Sequence, residues 1–375
     1  MRVKSKQLLQ GIDSMFLITF GILVLLGLVI LQTASSVTSF LEYGHPYHYF
    51  LNQLMEGVAP GLVFFLILSK IPYTFWRKVS FIGFIGVFLL NCLVLFPSFA
   101  TSVNGATRWI NLFGIGFQPA ELLKLALLLY IAMLLAKFKE SLNKLNILVF
   151  VLAIIGISVG FVVIIQSNLS TGIILMVLSG GMLFQSPLKS RYLVMLGLGA
   201  VLIAFIFILI EPYRLQRLMT FSQGQEQDLL GTGYQIEQNL IAVGSGGVSG
   251  VGWNQSRQKF LYLPEARTDS IFAVYGEEAG FIGVTILVGI FAALSFRIIW
   301  LSTQVKDDFG RYILIGGVTW FMAQAFLNIG ATIKLVPLTG IPLPFISVGN
   351  SSIWVLCALF GIMANVSTYR RAKIE

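Results

Sequence analysis

The sequence predicts an all-α, polytopic membrane protein with about ten transmembrane helices. Of its 375 residues, 57% are hydrophobic and only 11% are charged, whereas soluble domains carry about 25% charged residues. Seven segments contain no Asp, Glu, Lys or Arg, and about 20 apolar residues are enough to cross a bilayer as a helix. Lys and Arg are concentrated in alternate connections, as in multi-pass membrane proteins.

The predicted spans follow one another with mostly short connections. The charge-free runs are 14–41, 79–107, 145–188, 192–210, 279–296, 312–333 and 335–369. The 145–188 run holds two spans joined by a turn at "QSNLS", 166–170, and two further spans at 49–69 and 118–136 include charged residues. The ten spans are centred near 26, 60, 88, 127, 155, 177, 201, 285, 322 and 359.

The distribution of basic residues predicts that both chain ends are cytoplasmic. With the N-terminus inside, the inner segments hold 17 of the 25 Lys and Arg residues, and the outer loops 39–48 and 336–350 hold none. This topology accounts for the net charge of +9 without a nucleic acid partner. We expect one membrane domain covering 1–375, with a large extracytoplasmic loop, 212–268, between spans seven and eight.

The large loop contains two helical patterns and a glycine-rich segment. The patterns are "EPYRLQRLMTF", 211–221, which suits a helix at the headgroup surface, and "GYQIEQNLIAV", 233–243. The glycines that follow, 244–252, fit either an anion-binding backbone nest or tight turns beside a close helix contact, and alone they favour tight turns. The basic residues Arg257, Lys259 and Arg267 shift the interpretation towards an anionic ligand near the outer headgroups.

Two charged residues lie at membrane depth at the start of the fourth span. Glu121 and Lys124 are separated by three positions, so they share one helix face and can form an ion pair. Charged side chains in a bilayer are costly and are hypotheses for functional sites. The residues leave two interpretations open, a neutralised structural pair or the polar wall of a cavity that opens outward.

Three acidic residues lie at the start of the eighth span. Asp269 follows Thr268 directly before the span, where either residue is a good helix N-cap. A carboxylate there also suits a proton acceptor, and the residues alone do not decide between the two roles. At 100° per residue, Glu277 lies about 80° and Glu278 about 180° from Asp269 around the helix, so the two glutamates cannot both share its face. Glu56, in the second span, has no evident partner.

A proline-rich segment precedes the last span. "KLVPLTGIPLPFISVGNSS", 334–352, combines prolines and glycines near the membrane. Irregular backbone is tolerated there when it packs on protein or lines a watery cavity. We therefore expect a rigid outer re-entrant or capping loop.

Together these segments resemble the SEDS family (shape, elongation, division and sporulation) of membrane peptidoglycan polymerases. The resemblance covers nearly the whole chain and rests on "GATRWINLFGIGFQPAELLKLALLLYIA", on "IAVGSGGVSGVGWNQSRQKFLYLPEARTDSIFAVYGEEAGFIG" and on "NIGATIKLVPLTGIPLPFIS". The "SRQKFLYLPE" segment is closer to the division and sporulation branch, FtsW and SpoVE, than to the elongation branch, RodA.

The resemblance implies polymerisation of the lipid-linked disaccharide lipid II on the outer face of the bacterial cytoplasmic membrane. It places the family's essential aspartate at Asp269, as a catalytic base, and its polar cavity pair at Glu121 and Lys124. The candidates for contact with substrate are therefore Glu121, Lys124, Arg108, Arg257, Lys259, Arg267 and Glu277. A divalent cation, Mg or Mn, could share the pyrophosphate, although no dedicated metal cage is visible.

The resemblance also implies partners, namely a class B penicillin-binding protein transpeptidase and other membrane proteins of the divisome or elongasome. The chain departs from the family pattern at Asn168, where an acid is usual, and at Ser270, where an aromatic residue is usual. Two other functions remain as alternatives, a lipid II flippase or transporter and a non-enzymatic scaffold for cell-wall synthesis. No pair of matching broken segments in two halves supports alternating access, and a scaffold leaves the charges around Asp269 unexplained.

Overall fold

The structure, a computed structural model, describes residues 11–96, 99–103, 106–112, 115–210 and 231–370. Within these residues it has eleven helices, and ten of them coincide with the ten predicted spans. The spans are α1 Ser14–Tyr43, α2 His48–Lys70, α3 Tyr73–Leu95, α4 Pro119–Lys137, α5 Leu145–Ile165, α6 Leu169–Phe184, α7 Ser190–Ile210, α9 Ile271–Gln304, α10 Asp308–Thr332 and α11 Asn350–Ser367. The predicted polytopic helical fold is thus confirmed.

The large loop contains the remaining helix, α8, at Thr232–Ser245. It confirms the second helical pattern of the loop, and the first, 211–221, lies outside the described residues. Eight of the spans are long and apolar enough to cross a membrane, and α6 is a shorter apolar helix of 16 residues. The eighth predicted span extends past both ends of its charge-free core, as expected, and forms the 34-residue α9.

A small antiparallel sheet between α3 and α4 was not predicted. Its strands are β1 Ala100–Val103, β2 Ala106–Leu112 and β3 Ile115–Phe117, in the order β1-β2-β3. Ile110 on the central strand pairs with residues of both neighbours and is fully buried. The sequence concealed this sheet because β1 lies inside an apolar, charge-free run that is equally compatible with the end of a helix.

The centre of the bundle is formed by α4 and α11. In an apolar stretch of 18 residues within each helix, 83% is buried in α4 and 89% in α11. In the corresponding stretches only 22% is buried in α3 and 28% in α9, and these two helices therefore present apolar side chains outward. Close helix contacts in the centre depend on glycine. A Cβ on Gly361 would lie 2.6 Å from the carbonyl oxygen of Phe65 in α2, so α2 and α11 pack with their backbones in contact.

Both ends of the described chain lie on one face of the bundle. Asp13, the N-cap of α1, accepts a hydrogen bond of 2.8 Å from Nε of Arg297 near the end of α9. Arg370, after α11, donates to the carbonyl oxygen of Gly11 over 3.0 Å. On the same face Lys139 pairs with Asp308 at 2.8 Å. This arrangement agrees with the expectation that both ends share one side of the membrane.

Replacing Asp13 with Asn is expected to destabilise the bundle. Burial alone would raise the pKa of Asp13, but the hydrogen bonds from Arg297 and the Phe16 amide and the charges of Arg297 and Arg370 lower it below its ordinary value of 3.8. A lowered pKa stabilises the fold above the ordinary value, and this stabilisation is lost as pH falls through the folded pKa.

In detergent, Asp13→Asn should therefore have a lower melting temperature than the wild type at pH 7. The difference should shrink as pH falls below the ordinary value of 3.8 and through the lowered pKa of the folded protein, where the wild-type carboxylate becomes protonated. Glu140→Gln, an exposed carboxylate in the connection that carries Lys139, is the matched control and should melt like the wild type. A melting difference for Asp13→Asn that does not change with pH would contradict the ion-pair explanation.

Candidate active site opposite the chain ends

Asp269 lies directly before α9, at the end of that helix remote from Arg297, and lines a narrow pocket. The empty space between its lining atoms is about 190 Å³ when open solvent is included, so the pocket is a narrow cleft and not an enclosed cavity. Its walls come from α8, from α10, from the residues before α9 and from the proline-rich segment. The lining residues are Asn239, Asp269, Asn328, Ala331, Thr332, Leu338, Thr339, Gly340 and Ile341.

The backbone around Asp269 is fixed by two buried side chains. Nδ2 of Asn328, in α10, donates to the carbonyl oxygen of Asp269 over 3.0 Å and to that of Ile341 over 2.8 Å. Oγ of Ser347 donates to the carbonyl oxygen of Thr268 over 2.6 Å. These bonds tie the start of α9 to the proline-rich segment, which agrees with the expectation that this segment packs on protein.

Asp269 is not the N-cap residue of α9, so the interpretation of Asp269 as a helix cap is wrong. The N-cap residue of α9 is Ser270, and its side chain makes no capping hydrogen bond. Instead, Oγ of Ser270 accepts a hydrogen bond of 3.0 Å from Gln235 of α8. Asp269 is thus outside the helix, which leaves its carboxylate at the pocket. Gly340 faces this carboxylate, since a Cβ there would lie 3.5 Å from Oδ2 of Asp269.

The glycine-rich segment fits into a break in α9. Gly280 has φ 62° and ψ −167°, so the helix is interrupted there. The amides of Val251 and Gly252 donate to the carbonyl oxygens of Glu277 and Glu278 over 3.0 and 3.1 Å, in place of the missing helical bonds. This arrangement corresponds to the tight-turn interpretation of the glycines.

Glu277 and Glu278 are buried and hold the residues that follow the glycines. Glu277 accepts hydrogen bonds from the hydroxyl of Ser256 and from the amides of Arg257 and Gln258, at 3.0 and 3.3 Å for the amides. Glu278 pairs with Lys259 at 3.0 Å, and both side chains are at most 1% exposed. Glu277 and Lys259, two of the predicted substrate contacts, are therefore bound to other groups of the protein.

Three arginines among the predicted contacts have different surroundings. Arg257 is exposed on the large loop before α9. Arg267 lies over the ring of Tyr49, 3.8 Å from its centroid, and 3.7 Å from a carboxylate oxygen of Glu42. Arg108, on β2, donates to the carbonyl oxygen of Ser167 over 3.2 Å.

Arg108 also belongs to the surroundings of the pocket. The turn that it contacts leads into α6, where the hydroxyl of Ser170 donates to the carbonyl oxygen of Thr339 in the pocket wall. Asn168 in the same turn caps α6 by accepting from the amide of Thr171 over 3.1 Å. This position, where the resemblance leads us to expect an acid, therefore serves as a helix cap in this chain.

Glu121 and Lys124 form the predicted ion pair. Their charged atoms are 2.8 Å apart, and the side chains are 6% and 1% exposed. The Lys124 ammonium also lies 4.8 Å from the ring centroid of Trp320 in α10. The pair does not line the pocket at Asp269. Glu56, which lacked an evident partner, accepts a hydrogen bond of 3.3 Å from Asn350.

Removing one member of this buried pair is expected to destabilise the protein strongly. Lys124→Met leaves the Glu121 carboxylate buried and unpaired, a change that costs about 3 kcal/mol or more in proteins. The double variant with Glu121→Gln should recover much of the loss, because no uncompensated charge remains.

Thermal unfolding in detergent measures both effects. Lys139→Met removes an ammonium from a pair whose lysine is 50% exposed and should cost under about 1 kcal/mol. A double variant as unstable as Lys124→Met would show that the pair acts through something other than charge compensation.

The described residues contain no group of three or more His, Cys, Asp or Glu side chains that could hold a metal ion. A divalent cation held by the described residues would therefore need pyrophosphate oxygens for most of its ligands.

Sequence reasoning missed Asn239, Asn328 and Thr339 as pocket residues. One signal was available for Asn328. It lies four positions after Gln324 in the charge-free run 312–333, so two amide side chains share one face of an apolar helix. The folded chain uses both, since Gln324 donates to the carbonyl oxygen of Pro342 over 3.0 Å.

The fold and the pocket define a class, that of polytopic helical membrane proteins with a carboxylate site on the face opposite the chain ends. The family model described as "Cell cycle protein", which covers FtsW, RodA and SpoVE, matches residues 13–372. The chain therefore belongs to the FtsW/RodA/SpoVE family.

Curated relatives match over nearly their full length. The chain is 34% identical to Stage V sporulation protein E of Bacillus subtilis over 361 residues, covering 96% of this chain and 98% of the relative. It is 35% identical to the probable peptidoglycan glycosyltransferase FtsW of Coxiella burnetii over 350 residues, covering 92% and 93%. These names match the division and sporulation branch that the sequence indicated.

Solved structures share the fold. One comes from a study of how a peptidoglycan synthase complex coordinates polymerization and crosslinking; it has a TM-score of 0.78 and 23% identity and covers 95% of this chain and 97% of its own. The Rod shape determining protein RodA of Thermus thermophilus has a TM-score of 0.70 and 22% identity, with coverage of 96% and 98%.

Proposed function

We propose that this protein is an inverting peptidoglycan glycosyltransferase that polymerises lipid II into glycan strands. The observation that carries the proposal is the carboxylate of Asp269, which lines a pocket on the face opposite the chain ends. Relatives named as probable peptidoglycan glycosyltransferases match the chain almost end to end, which supports this reaction. The pocket lies on the outer side of the bacterial cytoplasmic membrane in the topology that the basic residues predict.

In the proposed reaction, Asp269 acts as a general base. It accepts the proton of the acceptor sugar's 4-hydroxyl while that oxygen attacks the anomeric carbon of the donor. The bond from this carbon to the pyrophosphate oxygen breaks, polyprenyl pyrophosphate leaves with the electron pair, and the anomeric configuration inverts. General base catalysis of this kind contributes about 10²- to 10⁴-fold to a rate.

The arginines supply positive charge for the leaving group. Arg108 and Arg267 are the best candidates to contact pyrophosphate, because Arg108 holds the turn beside Thr339 and Arg267 is two residues from Asp269. Arg257 is exposed and can reach a lipid headgroup. We assign Lys259 and Glu277 to positioning of the outer loop and Glu121 and Lys124 to the interior of the bundle, since protein groups already satisfy them.

We also propose a transpeptidase partner, a class B penicillin-binding protein with a single membrane helix. The poorly buried α9 exposes large apolar side chains, including Phe281 and Phe296 at 69% and 72%. Such a surface suits either lipid or an apolar helix. The matching structure from a peptidoglycan synthase complex supports a partner of this kind.

Purified protein with its transpeptidase partner, lipid II and a divalent cation in detergent tests the proposal. We expect glycan strands that lengthen with time and are degraded by a muramidase. Absence of strands from well-folded wild-type protein with the partner present would overturn the proposal and favour lipid transport or scaffolding.

A further inference from the structure

The pocket beside Asp269 contains polar atoms that have no hydrogen-bond partner among the described residues. Oδ1 of Asn239, Oδ1 of Asn328 and Oγ1 of Thr339 are buried without a hydrogen-bond partner in the described part of the chain. The two asparagine side chains belong to residues that are each 2% exposed. Buried polar atoms nearly always have a partner, so three such residues lining one pocket indicate a ligand.

The three residues come from three separate elements that meet at the pocket. Asn239 lies on α8, four positions after Gln235, whose amide donates to Ser270 and holds α8 against the start of α9. Asn328 lies on α10, and Thr339 lies in the proline-rich segment. The Oδ1 assignment of Asn328 follows from its contacts, because its Nδ2 already donates to two carbonyl oxygens.

The polar atoms that line the pocket mostly accept hydrogen bonds. Two amide oxygens and the Asp269 carboxylate are acceptors only, and the Thr339 hydroxyl can either donate or accept. The matching ligand carries several donors in a small volume, as the hydroxyl and amide groups of an N-acetylated sugar do. A phosphate or pyrophosphate would be repelled by this set, since it offers acceptors to acceptors.

We propose that Asn239, Asn328 and Thr339 bind the acceptor sugar and orient its attacking hydroxyl towards Asp269. This inference rests on the proposed glycosyltransferase function and adds the residues that select the acceptor. Asn328 then has two tasks, because it holds the main chain of Asp269 through Nδ2 and the sugar through Oδ1. The arginines outside the pocket are left for the donor's pyrophosphate.

A single-addition assay separates the acceptor from the donor. Lipid II capped at its own 4-hydroxyl can serve only as donor, and uncapped lipid II at varied concentration serves as acceptor. Asn239→Ala should raise KM for the acceptor about five- to tenfold, the usual effect of one lost hydrogen bond. The KM for the capped donor should stay within about twofold.

Thr339→Val is the second variant because it keeps the shape of the side chain. If the hydroxyl were merely an unsatisfied buried group, its removal would leave activity unchanged and stabilise the fold. If it binds the sugar, the acceptor KM should rise while the melting temperature stays level or increases. Thr339→Val therefore still tests the inference if Asn239→Ala misfolds.

Gln238→Ala, an amide on α8 that does not line the pocket, is the matched control and should behave like wild type. An unchanged acceptor KM in both variants would overturn the inference, and so would equal losses in the donor and acceptor arms. If added Mg²⁺ or Mn²⁺ restored the acceptor KM of Asn239→Ala, the pocket would be a cation site instead of a sugar site. Failure of the wild type to form any product would count against the proposed function itself.

Discussion

Asp269→Asn is expected to abolish glycan synthesis while leaving the protein folded. Asparagine has nearly the same shape but cannot accept the proton of the attacking hydroxyl, so the rate should fall about 10²- to 10⁴-fold. The hydrogen bond that anchors residue 269 to Asn328 uses the main-chain oxygen and should survive the substitution. Strand formation from lipid II measures the first effect, and the melting temperature in detergent measures the second.

Glu265→Gln is the matched control for this variant. Glu265 lies four residues before Asp269, is exposed, and contacts the hydroxyl of Thr268 rather than lining the pocket. The variant Glu265→Gln removes one negative charge near the same turn, as Asp269→Asn does, and should retain most of the activity. Undiminished polymerisation by a folded Asp269→Asn would refute Asp269 as the base, even if the chain is a polymerase.

Gly280→Ala is expected to give the largest loss of stability. Gly280 has φ 62°, and a Cβ there would lie 2.2 Å from the amide nitrogen of Gly250. The neighbouring atoms are backbone, so they cannot move aside as a flexible side chain would. Such a residue costs about 1–3 kcal/mol in backbone strain alone, and the overlap adds to it. We expect little monodisperse protein after purification.

Gly289→Ala, in the same helix, is the control. A Cβ at Gly289 meets nothing within 4 Å, and its backbone is helical. Alanine is favoured over glycine by about 1 kcal/mol inside a helix, so this variant should be as stable as the wild type or more so. Equal melting temperatures for the two variants would mean that the stability of the protein does not depend on the break in α9 or on the glycine-rich segment that fits into it.

Hydropathy and charge predicted the ten spans because a bilayer demands long apolar helices whatever their neighbours are. The pairing of Glu121 with Lys124 was predictable for a similar reason, since both lie on one helix and their spacing fixes their distance. The sheet at 100–117 was missed because short apolar strands and helix ends have the same composition. Its pairing is set by contacts between segments, which a local pattern does not contain.

In the candidate site, too, some features were predictable from the sequence and others were not. The residues alone left Asp269 open between helix cap and base. The resemblance to the family assigned it as the base and implied the reaction, because the motif around it is contiguous. The sequence left the glycine segment ambiguous and grouped Lys259 and Glu277 with the substrate contacts. Only the folded chain placed Lys259 on Glu278 and Glu277 on the amide of Arg257, since these partners are 19 and 20 residues apart.

The sequence by itself determined that this chain crosses the membrane about ten times and which carboxylate is the candidate base. The first follows from the length of the apolar runs, and the second from the family resemblance of one continuous motif. The tertiary structure decided where α9 breaks and which residues surround Asp269. Asn239, Asn328 and Thr339 come from three elements up to 100 residues apart, and only packing brings their unsatisfied polar atoms to one pocket.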